Sequence, residues 1–597
     1  MSAVLLNHSY LCRCAVSLVL AGAAFCVSVA TAAPVRADDA TESAAALGPG
    51  LQFVDWLLIC VYGISTIGLG AYFGRKQQNL KEYFVGSGTM NPILIGVSLF
   101  ATLLSTISYL SAPGEVLGKG PIHLTVVLGY PLVWLVGAFW LLPVYMKNRV
   151  TSAYELLEVR LGVGVRILGA LMFLALRLVW MSLLVYLTAN AMSIMMGLSK
   201  DWIPIIVLVT GLVAVIYTSL GGLRAVVITD LMQTILLFGG AVLVILLVTI
   251  DRGFSWIPTE WNSNWDTQPL LPESLSTRVS LLGSFVSFFI WYVCTAGGDQ
   301  TSVQRFMSTE DARAARIAFA VQLAVSTVVM LTLGAVGFAL LDYFTVYSEQ
   351  LPDHIDIKKN ADAVFPHFIA YKLPIGVSGL VVSAMFAAAM SSIDSGVNSI
   401  TAVVMSDFLG RFGFHLKSKI AEVWVARIMA FAIGLIVVFG STFMGAIPGN
   451  ITAVTGKTSN LLTTPIFALF IFALFIPRSR AIGVFVGAFF GVLVAVMIAF
   501  SGPLATHLIL VRDFTPEFFG IADVVVADVD GARVLMTIAG EQLDVAPDPI
   551  SFQWIGPFAL AVNIFFGVTA NAIANAVLGP PPERPVTQRD GKPSHDD

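Results

Sequence analysis

Charge is what this sequence has least of. Asp, Glu, Lys and Arg make up 12% of its 597 residues, while 57% are hydrophobic. Soluble domains carry about a quarter charged residues, so a soluble fold is excluded and a polytopic membrane protein is expected. Histidine is also sparse, at seven residues. No His/Glu metal motif and no nucleophile elbow occur, so enzymatic chemistry is not expected. Of five cysteines, Cys12, Cys14 and Cys26 sit at the extreme N-terminus, and Cys60 and Cys294 sit in apolar stretches. Without a CxxC pair there is no disulfide framework and no redox or metal spacing. Basic clusters are absent, which argues against a nucleic-acid partner. The expected partners are the lipid bilayer, ions and a small solute, with the chain a monomer or loose oligomer.

What is present is long apolar runs. Residues 1–33 read as a secretory signal peptide with small residues before the cleavage site, the alternative being an uncleaved helix. Residues 34–50 read as a polar extracellular extension without fixed structure. The transporter-like body spans 51–579, with an extracellular insert at 513–551 and a cytoplasmic tail at 580–597. About thirteen segments approach spanning length: 52–73, 92–112, 122–146, 164–196, 202–219, 224–249, 278–298, 314–342, 374–408, 420–441, 450–476, 480–500 and 552–578. A cleaved signal places the N-terminus outside. Every second loop then carries the cations, among them Arg75, Lys76, Lys81, Lys147, Arg149, Arg160, Arg224, Arg305, Arg313, Arg316, Arg411, Lys417, Lys419, Arg478 and Arg480. The positive-inside rule thus predicts N-out and C-in. Within the insert, the alternating runs 522–529 and 532–537 suggest a small hairpin.

Polar residues inside the apolar runs carry the functional argument. The run 387–399 holds Ser391, Ser392, Asp394, Ser395, Asn398 and Ser399 in the middle of a spanning segment. A carboxylate and hydroxyls at that depth cost a few kcal/mol unless a partner compensates, and hard oxygens suit Na+. Polar contact between helices is the competing reading. Gly221-Gly222-Leu-Arg224 opens another span, with Asp230 about two turns inside. Asp230 needs a cation, a positive side chain or a proton, unless it is an interface cap. Two spans are poor continuous helices: 92–114, ending in Pro113-Gly114, and 281–299, ending in Gly297-Gly298-Asp299. Interrupted spans in corresponding positions of two halves point to an inverted-repeat transporter that binds its substrate where they unwind. Lys457, in Gly456-Lys457-Thr458, either faces an anionic substrate or snorkels to the headgroups. Gly-Lys-Thr is no phosphate loop, because Ile451 replaces the required glycine. Arg177 is either the partner of a buried acid or a loop-edge residue. Asp55, opening the first span, is expected to be only interfacial.

These residues resemble the sodium/solute symporter family. Residues 221–233 look like its signature. Ser98-Leu-Phe100-Ala101-Thr102 resembles its first core helix, Trp291-Tyr292 through Asp299-Gln300 to Gln304-Arg305-Phe306 its sixth helix and following cytoplasmic loop, and 390–399 its eighth. The resemblance covers about 52–500. It implies an all-α, LeuT-like inverted 5+5 repeat with extra leading and trailing helices, and Na+ as the coupling ion. It also implies a sodium site formed by Ala101, Leu104, Ala388, Ser391 and Ser392. A second cation, Na+ or a proton, would involve Asp230, Asp394 and Ser395, with Ser391 shared. Asp394 stands where similar members have a hydroxyl residue. Val127 and Ser326 stand where sugar-transporting members carry an acid and a lysine, which disfavours a hexose. The candidate substrate residues are Thr102, Ser105, Val127, Trp291, Tyr292, Ser326 and Lys457. The expected function is sodium-driven import of a small organic anion or amino acid by alternating access. A sodium-dependent sensor and a cation channel are the alternatives.

Overall fold

The computed structural model describes residues 50–581 except 76, 78, 105, 149, 151, 353–354, 412–417, 447–450, 522, 530–531 and 539. The expected signal peptide, nearly all of the 34–50 extension and of the 580–597 tail, and Ser105 lie outside the described residues, as do the loop cations Lys76, Arg149 and Lys417.

The chain is helical almost throughout. In order, its helices are α1 (Phe53–Gly74), α2 (Leu80–Val85), α3 (Pro92–Leu103), α4 (Thr106–Gly118), α5 (Tyr130–Val136), α6 (Leu142–Asn148), α7 (Glu155–Leu161) and α8 (Val163–Met195). There follow α9 (Ile203–Arg252), α10 (Leu281–Gly298), α11 (Gln300–Met307), α12 (Ala312–Val346), α13 (Val364–Tyr371), α14 (Val377–Val403) and α15 (Lys419–Ser441). The last are α16 (Ile451–Leu474), α17 (Ala481–Ala499), α18 (Ser501–Arg512) and α19 (Ile555–Leu578). Local chemistry sets several starts. Asn91 accepts from the Ile93 amide ahead of Pro92, Ser280 caps α10 through the Gly283 amide, and Asp311 caps α12 through the Ala314 amide.

Among the described residues, eleven helices are long and apolar enough to cross a membrane, or twelve if α3 and α4 form one bent span. The sequence expectation of about thirteen divided 202–219 from 224–249, which here run together as α9. A helix of 50 residues would measure about 75 Å, far beyond a hydrocarbon core of about 30 Å. It is broken in effect at Gly222, whose φ of 59° and ψ of −176° lie in a region open only to glycine.

Of the two interrupted spans, the first differs from expectation and the second ends where expected. The first breaks at Leu104, which turns extended (φ −78°, ψ 103°), and the chain bends by 66° between α3 and α4. Pro113, the expected end, sits inside α4. The second breaks at Asp299, whose extended backbone separates α10 from α11. The segment 122–146 is not one α-helix: a 3-10 stretch at Pro121–Gly129 precedes α5, and a π turn at Gly137–Leu141 precedes α6.

Contacts divide the chain into two compact units. Among the described residues, the first comprises those up to Leu124, with Arg177–Asp266 and Gln304–Thr452. Within it α9 packs on α14, α1, α15 and α3, and α12 packs on α3 and α4. The second comprises Thr125–Leu176, Thr267–Val303 and the described residues from Ala453 onward. There α17 and α19 pack closely because Gly483, Gly487 and Gly491 present a side-chain-free stripe to Asn563, Gly567 and Asn571. The insert forms a three-stranded antiparallel sheet, with β1 (Val524–Val529), β2 (Ala532–Thr537) and β3 (Gln542–Leu543). Val524 pairs with Thr537 and Val529 with Ala532. Val524 and Leu535 bury against Ala505 and Ile509 of α18.

Candidate functional site

The polar cluster lies in the first unit, where α14 meets α9 and the broken end of α3. Every residue of α14 from Ser378 to Val403 except Leu380 is buried, so its serines and Asp394 have only protein groups to bond. Ser391 donates to Oδ1 of Asp230, and Ser98 on α3 donates to Oδ2 at 2.5 Å. Ser392 reaches the Thr102 carbonyl at 3.5 Å, where α3 is about to break. Thr102 donates to the Ser98 carbonyl at 2.7 Å, and its hydroxyl lies 3.1 Å from that of Ser395. Ser395 donates to Oδ1 of Asp394 at 3.2 Å.

Arg305 enters this cluster, and the sequence reading missed it. That reading put Gln304, Arg305 and Phe306 in a cytoplasmic loop. In the structure all three are buried on α11, the helix that follows the Asp299 break, and they belong to the first unit. The guanidinium donates to Ser98 through Nε at 2.9 Å and to Ser395 through Nη2, and lies 3.7 Å from Oδ2 of Asp230. Gln304 anchors the same turn, donating to the Phe84 carbonyl at 2.7 Å and accepting from Ser399 at 2.8 Å. The signal was present in principle, since a buried acid demands a partner, but nothing in the spacing linked residues 230 and 305.

Both oxygens of Asp230 are therefore satisfied by hydroxyl donors and its charge is faced by Arg305. Asp394 differs. Its Oδ2 is buried and has no hydrogen-bond partner among the described residues. Gln233, one turn beyond Asp230, is also buried, with neither amide atom hydrogen-bonded among the described residues. Ala101 and Ala388 are buried at the levels expected of carbonyl donors, and Leu104 is the residue at which the helical ladder of α3 ends. The hydroxyls, carboxylates and carbonyls at α3 and α14 are hard oxygen groups, the chemistry that suits Na+ as a transported cation, and the Arg305 guanidinium sits among them.

The candidate substrate residues fall in different units. Thr102 and Ser326 belong to the first, and Ser326 is buried. Val127, Trp291, Tyr292 and Lys457 belong to the second. Trp291 stacks edge-on against Tyr292 with ring centroids 4.9 Å apart, and the Tyr292 hydroxyl is 3.0 Å from that of Tyr130. The Trp291 indole N–H is buried without a hydrogen-bond partner among the described residues. Lys457 forms an ion pair with Asp548, at 2.6 Å, close to the end of the insert. Arg177 is buried rather than at a loop edge. Asp55, expected to be interfacial, is also buried: its carboxylate bonds to the start of α14.

The chain matches the sodium:solute symporter family model over residues 83–491. It is 28% identical over 458 residues to the sodium/sialic acid symporter SiaT of Proteus mirabilis, covering 73% of this chain and 87% of that protein. It is 26% identical over 470 residues to the sodium-coupled monocarboxylate transporter 1 of Mus musculus, covering 76% and 74%. A solved structure, the substrate-bound outward-open state of a Na+-coupled sialic acid symporter, superimposes with a TM-score of 0.67 at 21% identity, covering 87% of this chain and 98% of that one. The fold is accordingly the LeuT-like one, and Na+ is the coupling ion. The chain belongs to the sodium:solute symporter family, multi-pass membrane transporters and not enzymes, in which movement of a small solute is coupled to Na+.

Proposed function

We propose that this symporter imports a small organic anion, with a zwitterionic amino acid second and a hexose disfavoured. The observation that carries sodium coupling into this particular chain is the packing of Ser391 and Ser392 against Asp230 and the broken end of α3. Na+ is held by the carbonyls of Ala101, Leu104 and Ala388 with the hydroxyls of Ser391 and Ser392. A second cation, Na+ or a proton, belongs with Asp230, Asp394 and Ser395. Support comes from charge: Arg305 offsets one carboxylate of the pair, and Asp394 keeps an oxygen unbonded among the described residues. Uncompensated carboxylates in the bilayer interior are too costly to persist. The N-terminus lies outside and the C-terminus inside.

An anionic substrate is supported by relatives named for sialic acid and monocarboxylates, both acids. It is supported also by the hydrocarbon and hydroxyl of Val127 and Ser326, which offer no charged group to a sugar. Trp291, Tyr292, Thr102, Ser105 and Lys457 complete the proposed substrate-facing set. Proteoliposomes with an inward Na+ gradient, offered sialic acid, short monocarboxylates, amino acids and hexoses, test the assignment. Gradient-dependent accumulation of acids is expected. Accumulation of hexose above any acid overturns the substrate class, and absence of accumulation for every solute favours a sensor or channel.

A further inference from the structure

The N-terminus of α14 is capped by a residue more than 300 positions away. Gly376 immediately precedes the helix with φ of +84° and has no side chain to cap it. The amides of Val377 and Ser378 bond to the Pro374 carbonyl at 3.0 and 3.2 Å, and Leu380 begins the helical ladder to Gly376. That leaves the amides of Gly376 and Gly379, and both donate to Oδ1 of Asp55 at 2.8 Å. The other oxygen of Asp55 accepts from the Gln52 amide at 2.8 Å, closing the first turn of α1. Every amide at the start of α14 is thus accounted for, and the carboxylate also faces the positive end of the helix dipole. The approach is close: a Cβ on Gly379 would lie 2.4 Å from the Asp55 Cα, so only glycine lets the two backbones meet.

The opposite end of α1 is fastened to the helix that carries Asp230. A Cβ on Gly74 would lie 2.3 Å from the Leu220 carbonyl oxygen, next to the Gly222 break of α9, and Arg427 donates to the Gly74 carbonyl at 2.5 Å. So α1 is tied to α14 and to α9, two of the helices that build the polar cluster. We propose that Asp55 is a positioning residue of the sodium site: by capping α14 from α1, it fixes the axial placement of Ser391 and Ser392 against Asp230 and the Thr102 carbonyl. Ser391 lies about 18 Å along α14 from Gly379, and a rigid helix transmits an axial slip over that length undiminished. A slip of even about 1 Å misplaces ligand oxygens enough to weaken a bound ion.

This inference rests on the sodium site proposed above, and the test separates the two. The full-length protein, purified in detergent, is melted across a NaCl titration at constant ionic strength held with choline chloride. The Na+ concentration that gives half the rise in melting temperature is the readout. In Asp55→Ala and Asp55→Asn that midpoint is expected to move up by about 3- to 30-fold, the range over which distant packing changes act. Asp55→Glu, which keeps the carboxylate, is expected to recover part of the shift. A lower sodium-free melting temperature with an unmoved midpoint would show that the cap only stabilises, and overturns the proposal. Failure of both Ala and Asn variants to fold overturns it too, since a positioning residue leaves the bundle assembled. By contrast, a wild-type protein that Na+ does not stabilise, or an unmoved midpoint in Ser392→Ala, counts against the sodium site itself.

Discussion

Arg305 decides how the buried charges of this protein are balanced. Asp230 has two hydroxyl donors and a guanidinium at 3.7 Å, all with essentially no exposure. Breaking such a pair leaves an uncompensated charge in the interior. Arg305→Ala is expected to destabilise the protein by about 3–5 kcal/mol, and Asp230→Asn in the same chain to restore much of it. Thermal unfolding of the two single variants and the double variant checks this, and simple additivity would argue that the residues are not coupled. Ser392→Ala removes one oxygen facing the Thr102 carbonyl without leaving a charge behind. It should weaken sodium activation of uptake while the unfolding midpoint stays within about 1 kcal/mol of wild type. If Asp230 and Asp394 share the second cation, Asp230→Asn and Asp394→Asn should each change the ion-to-solute ratio measured by reversal potential. Constant stoichiometry and constant pH dependence in both would make the pair purely structural.

At the scale of the element, glycine and helix breaks do the shaping. Gly222 holds a backbone conformation that a side chain disfavours, and a Cβ there would sit 2.5 Å from the Gln77 amide nitrogen and 2.9 Å from the Tyr83 carbonyl. Strain of about 1–3 kcal/mol adds to that crowding, so Gly222→Ala should lower the amount of folded protein and its melting temperature. Gly239, in the same helix with open space around its Cα, is the control: Gly239→Ala should be neutral or slightly stabilising. The break after Leu103 was legible as a polar, proline-bearing stretch, but its position was not. Pro113 is tolerated within α4, whereas Leu104 is extended with no proline or glycine at the turn. Packing against α14 and α12 fixes that turn, and no local propensity announces it.

For the whole molecule, the predictions concern orientation and the insert at 513–551. Arg305 is withdrawn from the loop cations because it is buried, yet the remaining Lys/Arg asymmetry still favours N-out and C-in. Single cysteines at Ser274 and Thr537 should then react with an impermeant maleimide from outside, while one at Arg411 should react only after permeabilisation; the reverse pattern would invert the topology. The Lys457–Asp548 pair joins α16 to the residues after the sheet within the second unit. Both partners are about a quarter exposed, so the pair is worth only about 0–1 kcal/mol and Lys457→Gln should fold normally. Lost uptake of acids with retained uptake of neutral analogues would give Lys457 a substrate role. Equal uptake of both by variant and wild type would leave it as the tether of the insert.

The sequence by itself determined the membrane class, the approximate place of most spans, the polar face of the eighth core helix and the family, because these depend on local composition and short motifs. Hydropathy over about twenty residues and a serine-aspartate pattern on one helix are written along the chain and need no knowledge of neighbours. The tertiary structure alone decided who partners whom. Arg305 looked like one more loop cation until α11 turned it towards Asp230, and Asp55 looked interfacial until α1 brought it to the bare amides of α14. Both pairings join residues far apart in sequence. Burial of a charge predicts that a partner exists, but only the packed helices supply the distance that names it.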